Sequence, residues 1–231
     1  METTSNGGPS AFFEKYGTAL AVVVGALIIG GALAFGQGGG DKAATPDPVA
    51  VDIKDVKTDT GPFVGAKNAP VTIAVWFDYQ CGFCKQYETT TIQEVIATYG
   101  DQVRIVHKDF QFLGTASNDA ALYSRAVWDA YPERWKEWYA GMFVAGPDSE
   151  GTLNVAAMDA LSSELGLDVA RLTALRLEKN DEYQALLDAD RNEGQSFGIN
   201  GTPGTIVGTT LLSGAQPFSA LKPLIDAELA K

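Results

Sequence analysis

The chain has 231 residues, of which 45% are hydrophobic and 20% charged, a globular composition that excludes wholesale disorder. Its 17 basic and 29 acidic residues leave a formal charge of −12, which argues against phosphate-neutralising nucleic-acid binding and against a basic patch on anionic lipid. The two cysteines, Cys81 and Cys84, are too few for a disulfide-stapled scaffold.

Residues 1–16 form a short tail, and no charge occurs between Lys15 and Asp41. The apolar run at residues 17–36 matches the roughly 20 residues that a bilayer-spanning helix needs. A buried helix of a soluble protein would carry a polar stripe, and this run has none. A cleavable signal peptide is the closer rival, because Ala32-Leu33-Ala34 has the small-x-small form that signal peptidase reads. Against it stand the acidic residues Glu2 and Glu14, with only Lys15 to balance them. The expectation is an uncleaved single-pass transmembrane anchor. Under either reading the globular part lies outside the cytoplasm, periplasmic or extracellular. Residues 37–60, with three consecutive glycines, two prolines and alternating charges, are expected to form a flexible linker.

The globular part spans residues 61–231. Residues 71–77 are a β-branched and aromatic run that predicts a strand buried on both faces. Residues 82–98 predict a helix that ends before Gly100, and residues 102–110 a second strand. Strand, helix and strand in this order suggest parallel pairing through a helical crossover. From about 115 to 197, alanine, leucine and aromatic residues recur at helical spacing. Breaks at Gly146-Pro147, Gly166 and Asn180-Asp181 divide this stretch into about four helices. Residues 205–208 and 209–212 predict two short strands with a tight turn at Gly208, and residues 217–231 a closing helix. The predicted class is α/β, a mixed sheet with an all-helical insertion.

Cys81-Gly-Phe-Cys84 falls where the first strand gives way to the helix. Unpaired N–H groups and the partial positive charge of a helix N-terminus stabilise a thiolate there, which assigns the nucleophile to Cys81. Cys84, one turn further, shares that side of the helix and can close a disulfide. The pair is suited to thiol–disulfide exchange. A zinc site would need further ligands; with no other cysteine and His107 the sole histidine, only a carboxylate could complete one. A purely structural bridge over so short a loop adds little stability.

Three stretches carry a family resemblance: Asn68-Ala-Pro-Val-Thr-Ile before the strand, Phe77-Asp-Tyr-Gln-Cys-Gly-Phe-Cys-Lys85 around the cysteines, and Gly198-Ile-Asn-Gly-Thr-Pro-Gly-Thr205. From about residue 61 to the C-terminus the chain resembles the DsbA-like disulfide oxidoreductases of thioredoxin-like fold. The resemblance implies a cis Thr202–Pro203 bond facing the cysteines. It also implies an extended substrate segment bound at Thr202 and Pro203, with Gly82 and Phe83 beside it. A redox-active Cys81–Cys84 disulfide would serve without cofactor or metal. The implied substrates are exported cysteine-containing proteins, and the implied reoxidant is a membrane quinone-linked thiol oxidase. No dimerisation domain is visible, and a monomer is expected.

Three departures qualify the likeness. Gly-Phe replaces the Pro-His of strongly oxidising members, so a weaker oxidant is expected. Many relatives carry a buried acid six positions before the first cysteine, where this chain has Val75. Asp78 is a candidate substitute for proton transfer, on an equal footing with a capping or solvent-facing role. Glycine and an aromatic between the cysteines, with Thr before the proline, also occur in related isomerases. The direction of exchange therefore stays open between oxidase and reductase or isomerase, with a non-catalytic chaperone or binding module as the reading from another class. His107, in a predicted strand, is expected to be satisfied or solvent-facing, without a catalytic role. Lys85 either adds positive potential near the sulfurs or is an exposed helix lysine.

Overall fold

The structure is a computed structural model that describes residues 50–144 and 153–231. The anchor, the signal-peptide alternative and the linker up to residue 49 lie outside the described residues. Among the described residues no helix is long and apolar enough to cross a membrane.

Among the described residues five strands form one mixed sheet: β1 Phe63–Gly65, β2 Val71–Phe77, β3 Val103–Asp109, β4 Gly204–Val207 and β5 Thr210–Ser213, in the order β1-β3-β2-β4-β5. Only β2 and β3 pair in parallel; β1–β3, β2–β4 and β4–β5 are antiparallel. Central β2 is buried at every position except the half-buried Thr72, which is why its sequence lacks alternation. Ile73 and Val75 meet one apolar layer with Tyr87, Val95, Leu221 and Ile225. Ala74 and Trp76 meet another with Val51, Val56, Phe110, Ile199 and Ile206.

The predicted helix over 82–98 is interrupted. Helix α1 covers Gly82–Tyr87, a π-helical segment covers Glu88–Ile92, and α2 covers Gln93–Tyr99. Four consecutive β-branched residues, Thr89 to Ile92, account for the change of pitch. The Thr89 hydroxyl donates to the Lys85 carbonyl at 2.8 Å, and the Thr90 hydroxyl to the Gln86 carbonyl at 2.7 Å. Such back-bonding competes with the regular ladder and bends helices.

The insertion contains five helices among the described residues, not about four: α3 Thr115–Ala130, α4 Trp135–Val144, α5 Val155–Glu164, α6 Val169–Glu178 and α7 Asn180–Ser196. The additional break lies at Tyr131, whose φ of −147° and ψ of 59° leave the helical region before Pro132. Trp135 and Trp138 are fully buried, and their indole N–H groups donate to Ser124 and Ser162 at 2.9 and 3.0 Å. The closing hairpin turns at Gly208, where φ is +57°, and helix α8 covers Phe218–Leu229.

Residues 50–60, expected to end the linker, are packed. Val51 and Val56 are buried, and Ile53–Asp55 form a short 3-10 turn. Polar contacts hold the rest of this stretch. The Lys57 amide donates to Glu193 at 2.9 Å, Lys108 donates to the Lys57 carbonyl at 3.0 Å, and Arg125 donates to the Thr60 carbonyl at 2.8 Å. These partners are far away in sequence, so the local composition, which reads as linker, does not reveal them.

Helix α7 closes over Trp76, whose indole N–H donates to the Asp190 carbonyl at 2.8 Å. The approach requires Gly194, because a Cβ there would lie 2.8 Å from the Trp76 ring. Gly194→Ala is expected to destabilise the fold by about 1–3 kcal/mol through overpacking, read as a lower midpoint in urea at unchanged slope.

Candidate active site

Strand β2 delivers the chain to a short turn in which the Cys81 amide donates to the Asp78 carbonyl at 3.1 Å. Cys81 is the N-cap of α1, with extended backbone angles (φ −77°, ψ 114°), and Cys84 lies one turn inside. Both cysteines are free thiols. Cys81 retains 8% exposure and Cys84 none, so only the first sulfur can meet an incoming chain.

Their acidities diverge in the same sense. The Cys81 thiol is lowered to about 6, chiefly by hydrogen bonding with the Cys84 thiol; partial burial opposes this, while the nearby Thr202 hydroxyl and the backbone N–H groups of Cys84 and Phe83 assist. Burial pushes the Cys84 thiol well above its ordinary value, and the neighbouring Cys81 sulfur adds to this. One sulfur is therefore largely thiolate at neutral pH while the other holds its proton, the division of labour that exchange chemistry needs.

The loop opposite comes from β4. The Thr202–Pro203 peptide bond is cis, and the Cys81 thiol donates to the Thr202 carbonyl at 3.4 Å. Two contacts fix this loop. The Gly214 amide donates to the Pro203 carbonyl at 2.8 Å, and the Tyr87 and Thr205 hydroxyls share a hydrogen bond of 3.0 Å that joins α1 to β4. The structure thus brings Cys81, Cys84, Thr202 and Pro203 together. Gly82 and Phe83 lie on the solvent side, Phe83 with 67% of its surface exposed. Phe112 and Leu113 are two further exposed apolar residues, on a loop that Gln80 holds by a 3.0 Å bond to the Leu113 carbonyl. Lys85 is half-buried and lines a small hollow with Cys81, Tyr79, Met142 and Phe143.

Asp78 is not solvent-facing. It is buried, and one carboxylate oxygen accepts from the Gln80 amide at 2.8 Å and the Ser117 hydroxyl at 2.6 Å. The other accepts from the amides of Phe112 and Leu113 at 2.9 and 3.1 Å. Four donors fill a carboxylate's acceptor sites. Asp78 therefore knits the cysteine turn to the 112–113 loop and the start of α3.

His107 also departs from expectation. It sits on β3 opposite Val75 of β2, is buried, and neither ring nitrogen makes a hydrogen bond among the described residues. Glu88, to which the sequence pattern assigns no role, is buried with one carboxylate oxygen 3.5 Å from His107 Nε2. The legible signal for Glu88 was its spacing: positions 81, 84 and 88 lie on one helical face. No group of three or more metal-ligating side chains occurs among the described residues.

Comparison with known proteins agrees with this geometry. Residues 57–227 match the family model described as thioredoxin. The chain is 24% identical over 173 residues to disulfide bond formation protein D of Bacillus subtilis, covering 73% of this chain and 77% of that protein. A probable disulfide bond formation protein D of Bacillus anthracis is 23% identical over 180 residues, covering 73% and 78%. Among solved structures, oxidised BdbD from Bacillus subtilis superposes with a TM-score of 0.71 at 23% identity, covering 80% of this chain and 100% of that one. The thiol–disulfide exchange protein alpha-DsbA2 from Wolbachia pipientis gives 0.66 at 23% identity, covering 73% and 87%. With a family match across most of its length and a matched acidic and buried thiol pair at a helix mouth, the chain belongs to the thioredoxin family as a DsbA-like thiol–disulfide oxidoreductase.

Proposed function

We propose that this protein is a membrane-anchored, extracytoplasmic oxidase that introduces disulfides into exported proteins. The observation that carries the oxidising direction is the contrast between Cys81, with a thiol lowered to about 6, and the fully buried Cys84. A stabilised thiolate favours the reduced enzyme over its disulfide, which makes the disulfide a better oxidant.

In the forward reaction a substrate thiolate attacks Cys81 Sγ. The Cys81–Cys84 bond breaks and Cys84 leaves, taking up a proton. The second substrate thiolate then attacks the substrate sulfur of the mixed disulfide and releases Cys81 as thiolate. The substrate has lost two electrons and two protons; the enzyme has gained both electrons and one proton, held on Cys84, and the other proton goes to solvent. Reoxidation falls to a membrane thiol oxidase, in keeping with the apolar run at residues 17–36. The cis-proline loop would hold an extended substrate by strand addition, which requires no particular sequence. The exposed Phe83, Phe112 and Leu113 give apolar purchase for unfolded chains.

The test is the reduction potential of the full chain in detergent. A value well above the about −270 mV of thioredoxin, with stoichiometric oxidation of a reduced test protein, is expected. A value near that of thioredoxin would assign the enzyme to reduction. Labelling of Cys81 by a membrane-impermeant maleimide in intact cells is expected if the catalytic part lies outside the cytoplasm.

A further inference from the structure

Asn200 and Gly201 stand in the loop that leads into the cis Thr202–Pro203 bond, and they form the sole Asn-Gly pair among the described residues. Both are exposed, and neither belongs to a helix or strand. The Gly201 amide makes no hydrogen bond among the described residues. The Asn200 side chain is held only by its own neighbourhood, its Nδ2 donating to the Gly198 carbonyl at 3.0 Å in an exposed contact. Space around Gly201 is open: a Cβ there would meet no heavy atom within 4 Å.

These are the conditions for attack on a side-chain amide by the next residue's nitrogen, the reaction that makes asparagine thermolabile. The nitrogen must be free of other bonds and able to swing toward Cγ, and glycine gives the backbone most room to do so. Asn68 supplies the contrast. It too is exposed and outside helix and strand, yet it precedes Ala69, whose amide donates to the Ala66 carbonyl at 3.1 Å. Asn154 is spent as a helix cap, accepting from the Ala157 amide at 3.0 Å, and Asn118 and Asn192 lie inside α3 and α7.

We propose that Asn200 is a self-modifying site that converts with time to aspartate and isoaspartate, placing a carboxylate beside the active-site mouth. The Gly201 nitrogen gives its proton to water and bonds to Asn200 Cγ. The Cγ–Nδ2 bond breaks, and the nitrogen leaves as ammonia with a proton from water. One water then opens the five-membered imide. Opening at Cγ leaves aspartate at position 200. Opening at the main-chain carbonyl leaves isoaspartate, with the backbone rerouted through the side chain and one carbon longer. Water is the sole co-reactant, and nothing is oxidised or reduced.

The new carboxylate matters because of its address. It stands two residues before Thr202, whose carbonyl accepts from the Cys81 thiol at 3.4 Å. Two residues of chain span at most about 7 Å, which puts the charge on the order of 10 Å from Cys81 Sγ. Tyr79 and Lys85 are the ionisable side chains that line the hollow beside Cys81, neither of them a carboxylate. An anion at that range disfavours the thiolate, and through mostly aqueous surroundings it raises the Cys81 thiol by about half a pH unit. On the exchange reading proposed above, a less stable thiolate makes a weaker oxidant, so the conversion lowers the oxidising strength of the enzyme as it ages. This consequence rests on that reading; the modification itself does not.

The experiment ages the full-length protein in detergent in warm, mildly alkaline buffer. Peptide mapping by mass, with isoaspartyl methyltransferase labelling, then follows each asparagine and separates position 200 from Asn6-Gly7 of the tail. Position 200 is expected to convert at least about tenfold faster than position 68. Gly201→Ala, whose added Cβ has room, should bring position 200 down to the rate of position 68. Equal rates at 200 and 68 in the wild type overturn the proposal, even if the variant does not fold; a folded Gly201→Ala protein that converts at the wild-type rate does so too. The second readout is the alkylation midpoint of Cys81, in Asn200→Asp and in the aged wild-type fraction separated by charge. Both should lie about half a pH unit above fresh wild type, with the difference shrinking in high salt. An unchanged midpoint in the aged fraction overturns the link to Cys81. Neither readout needs turnover, so failure of the exchange reading looks different: fresh wild type would then transfer no disulfide while both shifts persist.

Discussion

Replacing Cys81 by serine is expected to reduce thiol–disulfide exchange to the uncatalysed background. A hydroxyl cannot form the mixed disulfide, and Cys84, fully buried, cannot take over. Cys84→Ala should behave differently. Its Cys81 still attacks a mixed or substrate disulfide but stalls there, so a covalent adduct accumulates that dithiothreitol releases. It should also move the acidity of Cys81. The Cys84 thiol is the largest contribution lowering Cys81 to about 6, so its removal should shift the alkylation midpoint upward, toward that of an ordinary cysteine. An unchanged midpoint would show that the helix mouth and Thr202 suffice. The same acidity links redox state to stability. Because the folded value lies below that of an unfolded cysteine, ionisation of Cys81 stabilises the reduced fold fully above the unfolded value, and this contribution is lost as the pH falls through about 6. The melting temperature of the reduced protein minus that of the oxidised protein should therefore shrink between pH 8 and pH 5. A difference that stays constant, measured by calorimetry on both redox forms, contradicts the assignment.

The parts of this site that the sequence reveals are those held by local chemistry. Strand β2 is readable because seven successive residues suit a doubly covered strand. The cysteine pair is readable because three positions of helix suffice to place it. The Pro203 loop is readable because its motif is contiguous. What escapes has distant causes. Strand β1 is three residues long and exists because Phe63 and Val64 pair with Val106 and Ile105, more than forty positions later. The π-helical segment follows from a threonine run whose hydroxyls choose between solvent and backbone, a choice that periodicity does not register. Glu88 carries a legible spacing, yet its neighbour His107 stands on β3 and the cavity beside the pair is closed by α4. The 50–60 stretch looks like linker because the charges that hold it reside on β3, α3 and α7.

Those charges set the second large effect. Arg125 on α3 donates to Asp109 of β3 at 2.8 Å and pairs with Asp190 of α7, and Lys108 of β3 bridges Asp190 and Glu193. Arg125, Lys108, Asp109 and Asp190 are all buried, so each charge is tolerable only through its partners. Arg125→Met is expected to destabilise the protein by about 3–5 kcal/mol, because Asp109 is left without its cation and Asp190 with Lys108 alone. That is a large share of the roughly 5–15 kcal/mol available to a typical domain. It should also release the Thr60 carbonyl, so protease should cut the 50–60 stretch sooner. Adding Asp109→Asn to Arg125→Met should recover part of the loss, since one charge of each sign is then gone; a double-mutant cycle in urea measures the coupling. The pH dependence has a definite sign. Burial raises the Asp109 carboxyl above its ordinary value even with Arg125 present, and without the guanidinium the rise must grow. A carboxyl whose folded value exceeds its unfolded value of about 4 costs stability as the pH climbs from the second toward the first. The Arg125→Met deficit should thus be smaller at pH 5 than at pH 8. An equal deficit at both would mean that the guanidinium acts by packing and backbone hydrogen bonds, with the carboxylates satisfied by other means.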